Sequence, residues 1–410
     1  MNFETALQNY AELAVKVGVN LQKDQTLVIN TTLDSVELVR LVTKEAYQLG
    51  AKNVVVNWTD DVVTRTKYEL APLSSFEEFP EFRAKEMEAL AANGAAFMSI
   101  VSSSPDLLKG VDPEKISANQ KSSGAALKAF RQYVQSDKVS WTVIAAPSET
   151  WALKVFPEER STEAAVEKLW EAIFKAVRAD VKDPVAAWKE HDETLHKKVD
   201  VLNEKRFKTL HYTASGTDLT IDLPETHLWV GAGSVNANGE EFMANMPTEE
   251  VFTVPHKEGV NGTVASTKPL SYGGNIIDNF SITFENGRIV KVEAEEGQEI
   301  LQRLVDTDEG AKYLGEVALV PHQSPISDSG VLFYNTLFDE NASNHLAIGN
   351  AYAFCIEGGK EMSEEELEKN GLNSSITHVD FMIGSAEMNI DGIKADGTKE
   401  AIFRNGNWAI

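Results

Sequence analysis

The sequence predicts two domains, an N-terminal α/β domain with a mostly parallel open sheet and an α+β domain rich in antiparallel strands. Three observations predict this. At 410 residues the chain exceeds what one hydrophobic core usually supports. Its first half alternates short, continuously apolar β-type runs with helical periodicity, the texture of a sheet covered on both faces. Its second half turns to strands of alternating polarity joined by Asn-Gly turns.

In the first half, residues 3–19 repeat apolar positions at helical spacing and TLVINT (26–31) is β-rich. Residues 35–49 are again helical, and NVVVNW (53–58) and AAFMSIV (95–101) read as buried strands. A helical stretch around 124–136, the strand VSWTVIAAP (139–147) and a helix near 162–178 complete the pattern. No glycine-rich phosphate loop follows any of these strands, so the alternation carries no nucleotide site. Asp183 and Pro184 supply an N-cap and a first-turn proline for a charged helix running to about Glu204. The domain boundary is placed near 200, giving domains 1–200 and 201–410.

Beyond it, FKTLHYTA (207–214) and DLTIDLP (218–224) alternate, and FSITFENGRIVKVEAEEG (280–297) is a hairpin turning at Asn286-Gly287. A second Asn-Gly at 405–406 marks a terminal hairpin. Helical texture is expected around 297–312, 341–356 and 363–370.

The formal charge is −25 with pI near 4.8, which repels phosphate backbones and anionic lipid, so neither nucleic acid nor membrane is an expected partner. The most apolar stretch, 89–101, is broken by Asn93, Gly94 and Ser99 and is too short for a membrane span. The opening lacks the basic flank and apolar core of a secretory signal. Cys355 is the single cysteine and closes no internal disulfide; with no basic neighbour it reads as a buried, inert thiol. A cytoplasmic setting is expected.

All eight histidines lie after residue 190, which places any imidazole chemistry in the second half. His378 and Asp380 stand two apart in a β-type run, so both side chains share a face and can converge on one cation. Taken alone such a pair is, in most proteins, a half-exposed strand face or a hydrogen-bonded couple. His345 follows a group of Asn and Ser residues with helix-capping chemistry, and on a helix it would share a face with Gly349 and Tyr352. Glu316 leads an apolar strand that draws its carboxylate inward, where it must be paired, protonated or metal-bound. Glu249 and Glu250 are adjacent and point opposite ways in an extended segment; spacing does not choose between them.

Four separated segments, NMPTEEVFTVPH (245–256), LGEVALVP (314–321), LFYNTLFDENASNHLAIGNAY (332–352) and THVDFMIGS (377–385), together resemble the signature segments of the thermophilic-type metallo-aminopeptidases. The similarity extends over essentially the whole chain, including GAGSVNANGEEF (231–242). It implies a homodimer of two-domain subunits enclosing a cavity, with a pair of divalent ions (Zn, Co, Mn or Mg) in the C-terminal domain. Position by position it implies Glu250, Glu316, His345, His378 and Asp380 as metal ligands and Tyr352 as an active-site residue, and it favours Glu250 over Glu249. Three carboxylates and two imidazoles are too many for one tetrahedral zinc and suit two ions sharing a carboxylate. Glu316 is then either a bridging ligand or the proton carrier as well. The expected activity is release of N-terminal residues from peptides with a free amino terminus. The rivals are a metal-dependent amidohydrolase or dipeptidase acting on another small amide, and a non-catalytic metal- or solute-binding protein.

Overall fold

The computed structural model describes residues 1–272 and 275–410. They form two compact units. The first comprises Met1–Glu190 and Gly233–Pro247, the second His191–Ala232 and Thr248–Ile410.

The first unit is built on a four-stranded sheet in the order Asn53–Thr59, Thr26–Thr32, Ala96–Val101 and Trp141–Ala145, every pair parallel. Its strands are the apolar runs seen in the sequence, and helices fill the connections that parallel pairing requires; Asn53–Thr59, expected to be buried, is an edge strand with no fully buried residue. The expected helix at 124–136 is two helices, Pro113–Ala126 and Lys128–Gln135. Asp61–Leu70 and Glu81–Ala92 are further helices, each with a single fully buried residue, Tyr68 and Ala91. The edge at Trp141–Ala145 does not end the hydrogen bonding: Val143 N–H donates to Ala244 O (2.8 Å), Met246 N–H donates to Val143 O (3.0 Å), and Thr142 Oγ1 donates to Met243 O (2.8 Å). Residues 233–247 therefore belong with this unit and cover a strand edge that would otherwise stand open. A single cut near 200 does not describe this division, since 191–200 packs with the second unit and 233–247 returns to the first. The returning segment is held by main-chain bonds, by Asn236 Nδ2 donating to Ser140 Oγ at 2.9 Å and by the buried side chains of Phe242, Met243 and Met246, which follow no regular period.

Asp183 caps the helix Pro184–Lys205, accepting from Ala186 N–H at 3.0 Å. In the second unit a nine-stranded antiparallel sheet includes the hairpin Asn275–Glu285 and Arg288–Glu296. The turn residues Asn286 and Gly287 have φ of 49° and 79°, the left-handed pair that a two-residue hairpin demands. A β-carbon on Gly287 would lie 1.8 Å from Lys257 O, so the turn also needs a residue without one. Asn405 and Gly406 repeat the conformation at the terminal hairpin.

A second sheet has five strands in the order His378–Met382, His345–Gly349, Leu314–Leu319, Val251–Thr253 and Val230–Gly231, all antiparallel. One apolar cluster joins the two sheets and the helix Gln298–Val305. The helix expected over 341–356 is not formed. His345–Gly349 is the second strand of this sheet, paired on both sides and buried throughout. A short apolar run covered on both faces has no period of two to betray it, and the capping-type residues before it serve strand ends instead. Gly349 has φ of 110°, and a β-carbon there would meet Thr377 O at 2.2 Å, so it permits a close backbone approach and not space for a ligand.

Segment 224–229 is tied to 355–357 by Leu228 N–H donating to Cys355 O (2.7 Å) and Glu357 N–H donating to Thr226 O (2.9 Å). His227 is buried here, with Nδ1 2.7 Å from Pro224 O. Burial, helped by the Arg206 charge, depresses its imidazole below the ordinary value of 6.5. The unfolded chain then takes up a proton that the folded chain refuses, so stability is lost as pH falls through about 6.5 and the contribution is absent above it. His227→Asn, which cannot titrate, is expected to lose less stability than the parent chain between pH 7.5 and 5.5; urea midpoints of both proteins at the two pH values check this.

Candidate metal centre

Residues opposed across neighbouring strands place their side chains on one face of a sheet, and alternate residues of a strand share that face. In the five-stranded sheet Glu316, Ala347 and Asp380 form one cross-strand row, and Ala318, His345 and Met382 form the next. His378 opposes Gly349 on the same side. Glu250 immediately precedes Val251–Thr253, and alternation sets it on the side of Phe252, which opposes Ala318. Val251, Val317, Leu319, Leu346, Ile348 and Phe381 fill the other face and belong to the apolar core. One face thus anchors the sheet, and the other carries five polar side chains over a floor of Ala318, Ala347 and Gly349.

The five donors sequence reasoning named are brought together. His345 Nε2 lies 3.1 Å from Glu250 Oε2 and 3.5 Å from Glu316 Oε1. His378 Nε2 lies 3.6 Å from Glu316 Oε2 and 3.4 Å from Asp380 Oδ1. Potential ligand atoms fall into two groups, Glu250, Glu316 and His345, and Glu316, His378 and Asp380, each within 4.8 Å. Glu316 belongs to both and turns one oxygen toward each imidazole.

Both imidazoles are oriented from behind. His345 Nδ1 is 3.1 Å from Ser343 O and His378 Nδ1 is 2.8 Å from Asn350 O, so each Nδ1 carries the proton it donates and each Nε2 turns toward the carboxylates. Burial opposes charge on His345, but Glu250 and Glu316, with Asp380, outweigh it and hold the imidazole well above its ordinary value. His378, also disfavoured by burial, is held up to about 9 by Asp380 and Glu316. Burial raises the Glu316 carboxyl, reinforced by Asp380 and Glu250 and opposed by the two histidines. The site gathers three carboxylates in a largely buried setting, a charge that a cation would balance. Glu250 Oε2, His345 Nε2 and Asp380 Oδ1 are buried with no aligned hydrogen-bond partner. Three lone-pair-bearing atoms orphaned around one space fit divalent metal ions.

Buried asparagines hold the frame. Asn341 Oδ1 accepts from Glu249 N–H at 2.7 Å, while its Nδ2 donates to Leu337 O at 3.0 Å. Asn344 Oδ1 accepts from Val320 N–H at 2.8 Å, and its carbonyl accepts from Ile383 and Gly384 N–H, both at 2.9 Å, tying together the ends of three strands. Glu249 lies on the side of His191, 3.6 Å from its Nε2, and Glu250 faces the other donors.

Tyr352 packs its ring on His378 with centroids 4.9 Å apart, following the His345–Gly349 strand by a turn and not by helix periodicity. Burial and the nearby carboxylates keep its phenol protonated. Glu340 is the residue sequence reasoning missed. It opens a 3₁₀ turn, Glu340–Ala342, that packs against the His378–Met382 strand. Burial first, then the charges of Glu250 and Asp380, raises its carboxyl well above the usual range. Nothing local marks it among 63 acidic residues.

Residues 3–408 match the thermophilic metalloprotease family (M29). The chain belongs to the thermophilic metalloproteases. It is 66% identical to aminopeptidase AmpS of Bacillus subtilis over the whole of both chains. It is 43% identical to aminopeptidase T of Thermus thermophilus, with 100% of this chain and 99% of the relative covered. The solved structure of wild-type AmpT from Thermus thermophilus superposes with a TM-score of 0.94 at 42% identity, covering both chains completely. The resemblance read from four segments is therefore borne out, and with it the α/β and α+β architecture and a metal-dependent hydrolase. No helix among the described residues is long and apolar enough to cross a membrane.

Asn341→Ala removes the acceptor that fixes the main chain beside Glu250. It is expected to weaken divalent-metal affinity of this metalloprotease by roughly 10–100-fold, the usual cost of losing a supporting hydrogen bond. Competition titration against a chromogenic chelator measures it.

Proposed function

We infer that this chain is a metallo-aminopeptidase that releases N-terminal residues from peptides, with Glu250, Glu316 and His345 holding one divalent ion and Glu316, His378 and Asp380 a second. The observation that carries the reading is the division of five donors into two groups sharing Glu316. Three carboxylates bring a formal charge of −3, which one divalent ion leaves negative and two reverse, so a pair suits a site that must also receive a polar substrate. Zinc, cobalt, manganese and magnesium are all compatible with this mixed oxygen and nitrogen donor set.

Bound there, such ions supply Lewis acidity, which lowers the pKa of a water and polarises the scissile carbonyl. The protein's part follows from its own groups. The backbone carbonyls of Ser343 and Asn350 keep His345 and His378 in the tautomer that offers Nε2. Glu316 has one oxygen toward each imidazole, which favours the bridging role over that of proton carrier. Glu340 stands beside the same carboxylates outside both donor groups, and we assign it to shuttle a proton from water to the leaving amine. Tyr352, kept protonated, donates to the oxyanion that develops at the carbonyl. A neutral α-amine offers a nitrogen donor to a divalent ion held here, which would make the reaction exopeptidic.

A cytoplasmic homodimer goes with this reading, supported by the family resemblance and by a single, buried cysteine.

A ladder of peptides of increasing length should lose single residues from the amino end, in a metal-dependent way; internal cleavage or release of dipeptides alone would overturn the assignment. His378→Ala is expected to reduce turnover by well beyond 100-fold while circular dichroism stays that of the parent, since it removes a ligand and not core. Glu340→Gln should lower kcat by roughly 10²–10⁴-fold with metal content unchanged, whereas Glu316→Gln should lower the metal content itself; metal analysis beside steady-state kinetics separates the two.

A further inference from the structure

The metal face of the five-stranded sheet does not end at its donors. Phe252 follows Glu250 by two residues and shares its face, about 7 Å further along the strand. It also lies in the cross-strand row of Ala318 and His345, two strand spacings or roughly 10 Å from His345. Tyr352 and Phe354 stack on one another with centroids 5.2 Å apart and planes at 18°. Phe252 meets both edge-on, at 6.3 Å and 6.1 Å. Through Tyr352 this trio touches His378.

All three rings are only partly buried, although Val254, Cys355 and Ile356 beneath them are fully so. Three adjoining aromatic rings thus keep apolar surface open directly beside a buried polar cluster. That pairing of an apolar wall with a few convergent polar groups is how small-molecule sites fix one end of a ligand and grip the other. A substrate whose α-amine is held among the donors carries its first side chain on the adjacent carbon, and such a side chain reaches about as far as Phe252 stands from Glu250.

We propose that Phe252, Tyr352 and Phe354 form the shelf that receives the side chain of the substrate's N-terminal residue, and that this shelf selects large apolar residues over small ones. The proposal rests on the aminopeptidase reading of the site and extends it to substrate class. Burying one additional methylene against an apolar wall discriminates by roughly 10-fold or more, so the preference is large enough to measure.

The test compares Phe-, Leu- and Ala-p-nitroanilide on the metal-loaded protein and on Phe354→Ala and the conservative Phe252→Leu. In the parent protein kcat/KM for the Phe and Leu substrates should exceed that for Ala by about tenfold or more. In each variant the Phe-to-Ala ratio should fall about tenfold with metal content unchanged. A parent protein without the preference, or a ratio that moves less than about threefold in both variants, overturns the shelf. Calorimetry of free L-phenylalanine against L-alanine gives the same comparison without turnover. Tighter binding of L-phenylalanine, lost in Phe354→Ala, supports the shelf even if no peptide were hydrolysed, and equal binding overturns it even if peptides are.

Discussion

Five ionisable side chains face one another where water is excluded, and this is the constraint around which the second unit is arranged. Buried charge without a counter-charge costs several kcal/mol per group, so a cluster with three carboxylates and two imidazoles is tolerable only if protons or cations are shared within it. The structure meets that need partly through imidazoles whose affinity for protons is raised by the carboxylates beside them. On the proposed reading divalent ions would satisfy it more fully, because each orphaned atom of Glu250, His345 and Asp380 would then gain a partner.

The sheet carries the cluster at low cost to itself. Alternation sends Val317, Leu319, Leu346, Ile348 and Phe381 into the core, and that burial fixes the register that aligns Glu316 with Asp380. A slip of one residue in any strand would turn its donor into the apolar core and its apolar residues toward the polar cluster, an error penalised twice. Alanine at 318 and 347 is part of the same arrangement. A larger side chain at either place would occupy the space between donors that now face each other at 3.1–3.6 Å.

How far the sequence discloses this depends on how local each signal is. The hairpin at Asn286-Gly287 and the shared face of His378 and Asp380 are short-range facts of turn geometry and strand period, and both are found where the residues indicate. His345 is different: its strand is paired on both sides and buried on both faces, so its apolar run is ambiguous and resembles a helix once capping residues precede it. The choice between Glu249 and Glu250 lies in a main-chain bond to Asn341, 92 positions away, which no local pattern encodes. Glu340 and the return of 233–247 to the first unit are likewise non-local. Only the order and wording of four separated segments, read as a family resemblance, reach past what local pattern discloses.

The donors are spread over residues 250–380, on strands whose pairing joins distant parts of the chain. Closing such contacts is entropically costly, and none of the donors can meet until the strands bearing them are in place. On the proposed reading, metal binding would not be an accessory to a finished fold. An ion held by Glu250, Glu316 and His345 would tie three strand regions together, and a second held by Glu316, His378 and Asp380 would extend the link to the sheet's edge, so the free energy of binding would also be free energy of sheet assembly. Every donor comes from the second unit. The same strand pairing that builds the core of that unit therefore sets the spacing of the five side chains.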